Sequence, residues 1–165
     1  MGRGRIIGLG LVLAAIGGVV AVEIATSGGQ APRPAPALPK EVLSGHRVDL
    51  ESLHGKPALI NFWASWCAPC KQEAPELRRF AEQIGHRATL VGVDWNDRPE
   101  NARAFIAQSD WRYPVLRDSS GEVGNAYGLN GLPTTFVLDS SGQIVQKLQG
   151  PQTASSLSQA LASAG

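Results

Sequence analysis

The chain holds two cysteines, and they stand three residues apart in Trp66-Cys67-Ala68-Pro69-Cys70. Thiols at that spacing lie one turn apart on one helix face, close enough to work as a dithiol–disulfide pair. Two cysteines are too few for a disulfide-stapled scaffold or a four-thiolate zinc site. A metal clip would need two more ligands, and His46, His54 and His86 are scattered along the chain. No metal and no cofactor is therefore expected, and incidental core cysteines are the remaining alternative to redox chemistry. A helix opening at Cys67 would offer that sulfur unpaired N–H groups and the positive end of the helix dipole, which favour a thiolate. Cys67 is then the expected nucleophile and Cys70 the resolving thiol. Pro69 fixes one φ between them. Trp66 is read as a cover over the pair that offers an apolar landing surface.

The elements around the pair follow from periodicity. Gly55-Lys56-Pro57 leads into an apolar run over residues 58–63, a buried-strand signal. Residues 67–84 place Leu77, Phe80, Ala81 and Ile84 at helical spacing, with Pro75 predicting a kink. Residues 88–94 read as a second buried strand. Asn96-Asp97-Arg98-Pro99-Glu100 reads as a capped helix start, the helix running to about Ser109. Weaker signals give strands near residues 47–50 and 113–116 and a short helix over 122–127. Residues 134–138 and 143–148, joined by Asp139-Ser140-Ser141-Gly142, read as a hairpin, and 153–162 as a last helix. Strands alternating with helices before a closing hairpin imply an α/β fold with a mixed sheet, parallel strands first and an antiparallel edge last. The dithiol falls where the first buried strand meets its helix, the junction at which reactive groups gather in such sheets.

With 165 residues, of which 43% are apolar, the chain has room for one ordinary domain and an appendage. A formal net charge of +1, with bases and acids interspersed, argues against a nucleic-acid partner. The appendage is N-terminal. Residues 1–5 carry Arg3 and Arg5 as a basic cytoplasmic tail, and residues 6–25 are nearly all apolar and long enough to serve as a signal-anchor helix. A cleaved signal peptide ending at Ala25-Thr26-Ser27 is the alternative, a buried core helix the third. Both export readings place the domain outside the cytoplasmic membrane. Residues 26–39, with Pro32, Pro34, Pro36 and Pro39, read as a semi-rigid linker lifting the domain off the bilayer. The domain itself is assigned to residues 40–165.

The stretch Asn61-Phe62-Trp63-Ala64-Ser65-Trp66-Cys67-Ala68-Pro69-Cys70-Lys71-Gln72-Glu73-Ala74-Pro75, with Gly92-Val93-Asp94 and Gly131-Leu132-Pro133-Thr134-Thr135-Phe136, resembles the thioredoxin superfamily. It is most similar to the membrane-anchored extracytoplasmic branch of the TlpA, ResA and DsbE/CcmG types. The resemblance spans most of residues 40–165 and implies a thioredoxin-like fold. It also implies that Pro133 is the cis proline facing the dithiol and that Leu132 offers its backbone to a substrate segment in strand-like pairing. Ordinary thioredoxins carry a buried Asp where this chain has Asn61, and Asn cannot take a proton. Glu73 stands where the anchored branch has an acid near the dithiol. A partly buried carboxylate there would accept the Cys70 proton, whereas a solvated surface Glu beside Lys71 would not.

The function this implies is a membrane-anchored, single-pass, periplasmic thiol–disulfide oxidoreductase. It would take electrons from a membrane thiol donor and reduce disulfides of exported proteins such as apocytochrome c. An oxidase running the other way and a non-catalytic binding or chaperone module with an idle dithiol are the alternatives.

Overall fold

The computed structural model describes residues 31–165. The expected basic tail and membrane segment, residues 1–25, lie outside the described residues. Within them no helix is long and apolar enough to cross a membrane.

In chain order the strands are β1 (Arg33–Pro34), β2 (Glu41–Ser44), β3 (Ala58–Trp63), β4 (Thr89–Trp95), β5 (Val115–Asp118), β6 (Thr134–Leu138) and β7 (Gln143–Gln149). The helices are α1 (Ala68–Ile84), α2 (Pro99–Gln108), α3 (Glu122–Tyr127) and α4 (Ala154–Ala162), with a 3-10 turn at Glu51–Leu53. They build one seven-stranded sheet in the order β1-β7-β6-β3-β4-β5-β2. β3, β4 and β5 run parallel, and β6, β7 and both outermost strands run antiparallel to their neighbours.

Alternation along β3 sorts its side chains between the two faces. Leu59 and Trp63 join the core under α1, α2 and α4, with Leu77, Phe80, Phe105 and Leu157. Ala58, Ile60 and Phe62 join the opposite core with Tyr127 of α3, Phe136 and the N-terminal residues Leu38, Val48 and Leu53. Asn61 therefore points toward α1, the helix that carries the dithiol.

Three expectations need correction. The folded body begins before Lys40: β1 pairs with β7, Arg33 Nη2 donates to the Tyr127 carbonyl at 2.6 Å, Tyr127 Oη donates to the Pro36 carbonyl at 2.8 Å, and Leu38 is buried. Proline-rich sequence hides this, because two residues of edge pairing need no hydrophobic alternation and prolines are tolerated at an edge. Residues 47–50 are not a strand. The edge strand is instead β2, four residues pairing with β5, while Val48 packs into the core from a loop. Finally, α2 has Arg98 at its N-cap with no side-chain cap, because the Asp97 carboxylate is engaged elsewhere.

Candidate active site

Cys67 is the N-cap of α1, in extended conformation, with Pro69 in the first turn. Its Sγ accepts from the Cys70 backbone N–H at 3.1 Å, so the sulfur occupies the place of a capping oxygen. Cys67 and Cys70 form a disulfide, their Cα atoms 5.3 Å apart, and both are almost fully covered. Trp66, just before them, is 57% exposed, the one large hydrophobic side chain among the described residues that stands out in solvent. Its ring lies 6.3 Å from that of Trp95. Trp63 belongs to the core, stacked on Phe105 at 4.8 Å and edge-on to Trp111 at 4.9 Å.

Glu73 lies one turn beyond Cys70 on the same buried face of α1 and is 1% exposed. Its carboxylate accepts from Asn61 Nδ2 at 3.1 Å and from the Gln152 backbone N–H at 2.9 Å. Burial outweighs these two bonds and pushes its pKa up to about 7. Asn61 also donates to Thr135 Oγ1 at 2.9 Å, which ties the acid to the strand that follows Pro133. The Leu132–Pro133 bond is cis, the state the resemblance implies. Leu132 is half-buried and packs against both cores. Register explains why these residues meet: Asn61 pairs with Thr135 and Phe62 with Thr134, so the C-terminal end of β3 and the start of β6 lie side by side beneath the helix.

Sequence reasoning missed the groups holding the approach to Cys67. Asp97 Oδ2 accepts from the Ser65 backbone N–H at 2.7 Å and Oδ1 from the Arg98 N–H at 2.7 Å, which pins the loop between β3 and the dithiol. Asp94, level with Trp63 in the β3–β4 pairing, is fully buried, and neither carboxylate oxygen has a hydrogen-bond partner among the described residues. Burial and then the nearby Asp97 charge raise its pKa to about 8, against the opposing pull of Arg117, whose Nε is 3.9 Å away. A helix-cap reading of Asp97 was the available signal, and it points to the wrong partner. Gln152, which acts through its backbone, gave no signal at all.

His46, His54 and His86 are exposed. Among the described residues no group of three His, Cys, Asp or Glu side chains is placed to hold a metal.

A disulfide at a helix N-terminus, at the end of the sheet that also carries a cis proline, on a sheet with parallel centre and antiparallel edge, defines a thioredoxin-like thiol–disulfide oxidoreductase. The chain belongs to the AhpC/TSA family, whose model matches residues 31–147. It is 39% identical over 122 residues to the thiol:disulfide interchange protein HelX of Rhodobacter capsulatus, covering 72% of this chain and 68% of that one. It is 31% identical over 120 residues to the thiol-disulfide oxidoreductase ResA of Bacillus thuringiensis subsp. konkukian, covering 72% and 69%. The crystal structure of a thioredoxin-family thiol:disulfide interchange protein from Chlorobium tepidum superposes with a TM-score of 0.73 at 28% identity, covering 82% of this chain and 97% of that one.

Proposed function

We propose that the protein is a membrane-anchored, extracytoplasmic reductant of disulfides in exported proteins, with apocytochrome c as the substrate that the resemblance suggests. The observation that carries the direction is Glu73, a buried carboxyl one turn from Cys70 with a pKa near neutrality. A carboxylate there adds negative charge close to the dithiol and so opposes the Cys67 thiolate that the helix N-terminus favours. A less stabilised thiolate means a less stabilised reduced pair and a lower reduction potential, the reverse of what makes a strong oxidant.

In the working direction the Cys67 thiolate, favoured by its N-cap position, attacks a substrate disulfide. One substrate sulfur leaves as a thiolate and a mixed disulfide forms at Cys67. Cys70 then loses its proton to the Glu73 carboxylate and attacks Cys67. The second substrate sulfur is expelled, so two electrons have passed to the substrate and the Cys67–Cys70 disulfide is restored. The cis Pro133 and the Leu132 backbone hold the substrate segment beside the pair, and Trp66 gives it an apolar surface. A thiol donor at the membrane reduces the disulfide again for the next cycle. Residues 6–25 supply the anchor that keeps the domain at the outer face of the cytoplasmic membrane.

Equilibration of the pair with glutathione tests the direction. A potential near about −270 mV supports the reductant and one near about −120 mV an oxidase. Retained activity in a Cys67→Ala/Cys70→Ala variant would instead favour a binding module.

A further inference from the structure

β1 fixes the direction in which the chain enters the domain. Arg33 is level with Ile144 and Pro34 with Gln143, antiparallel to β7. The next bond, from the Ala35 N–H to the Gly142 carbonyl at 3.2 Å, continues toward the β6–β7 turn. Followed backward, the chain therefore heads the other way, toward Gln149. That is the dithiol end of the sheet: Gln149 pairs with Thr134, Thr134 with Phe62, and the loop after β3 carries Cys67. Ala31 precedes Pro32, and a residue before proline is held extended.

Counting residues sets the scale. From the level of Ile144 to that of Gln149 is about 17 Å of strand. Since residues 33–38 pack on the domain, only residues 26–32 remain between it and the apolar segment, and seven residues reach at most about 25 Å. A fully extended tether thus ends about 8 Å past the level of Gln149, beside the dithiol end. Presenting the opposite, hairpin end would require the chain to reverse and return within those same seven residues.

We propose that the tether holds the dithiol end of the domain toward the bilayer, so that Cys67 meets its partners in a thin layer at the membrane surface. This rests on residues 6–25 being a retained anchor, the reading given above. The orientation places the hairpin Asp139–Gly142 away from the membrane. A membrane protein whose reactive thiol lies at the bilayer surface then reaches Cys67 without any detachment of the domain.

The test uses the full chain in phosphatidylcholine vesicles containing a little lipid with a maleimide on its headgroup. In a Cys67→Ser/Cys70→Ser background, single cysteines are introduced at Lys71→Cys, beside the site, or Ser140→Cys, at the far hairpin; both positions are exposed. Rates are normalised to a soluble maleimide. Coupling to lipid should be several-fold faster for Lys71→Cys. A flexible twelve-residue insertion between Gly28 and Gly29 should bring the ratio toward one. Equal rates, or faster coupling at Ser140→Cys, overturn the orientation while leaving the anchor intact. A ratio unmoved by the insertion overturns the tether as its cause. A chain that fails to float with the vesicles overturns the anchor reading and the orientation together.

Discussion

Replacing Glu73 by Gln should change how the stability of the oxidised protein depends on pH, and the size of the effect follows from burial. In the unfolded chain this carboxyl titrates at an ordinary value of 4.5, and in the fold at about 7. Because the folded value is raised, the fold binds the proton more tightly. The associated stability is fully present below the unfolded pKa and is lost as pH rises through the folded one. The difference between those two values is worth about 3 kcal/mol in full, of which about 2.5 kcal/mol disappears between about pH 5 and pH 8.5. Gln keeps one oxygen for the Asn61 or Gln152 donor and turns an amide toward the other, a cost of about 1–2 kcal/mol that does not vary with pH. Urea unfolding of both proteins across this range is the assay. The wild type should lose about 2.5 kcal/mol relative to Glu73→Gln as pH rises, on the order of 10 °C in Tm for a domain of this size. The comparison cancels other titrating groups, Asp94 included. A difference that stays constant within about 0.5 kcal/mol from about pH 5 to pH 8.5 would refute the buried, near-neutral carboxyl, and with it the proposed proton acceptor.

Other outcomes follow from the same geometry. Cys70→Ser should accumulate a mixed disulfide at Cys67, visible as a mass increase on non-reducing gels; no adduct would argue against Cys67 as the attacking sulfur. Asp94→Asn should flatten the remaining loss of stability as pH approaches about 8, because Asp94 also carries a raised pKa and is destabilising once ionised; a pH profile identical to wild type would contradict its burial as a titrating acid. Gly124→Ala places a Cβ 2.7 Å from the Trp95 indole, so the gain of about 1 kcal/mol in helix propensity should be outweighed by overpacking of about 1–3 kcal/mol. Through the Trp95–Trp66 contact it should also change tryptophan fluorescence, and an unchanged spectrum with raised stability would show that the ring has room to move.

The parts of the fold that the sequence announces are those whose side chains carry a period or a special backbone chemistry. β3 is a continuous apolar run, and α1 opens at a cysteine followed by an early proline. β6 and β7 flank an Asp-Ser-Ser-Gly turn in which Asp139 Oδ1 accepts from the Ser141 and Gln143 N–H groups. The dithiol is legible for that reason, and Glu73 through the resemblance alone. What escaped was set by tertiary partners. The Gln152 bond to Glu73 is a backbone donor brought in by α4, 79 residues away. The Asp97–Ser65 bond joins loops 32 residues apart and overrides a plausible local cap. β1 is a proline-rich pair of residues whose only reason to be a strand is the open edge of β7.

That edge has a further meaning under the proposed anchoring. Copies tethered to one membrane would meet at high local concentration, and an uncovered strand offers unpaired N–H and carbonyl groups to a neighbour's sheet. β1 covers part of β7, and Pro34, having no N–H, cannot donate to any strand that adds outside it. At the opposite border β2 is four residues long and broken in register between Val42 and Ser44. The covered start of β7 and the β2 border are thus poor templates for edge-to-edge growth.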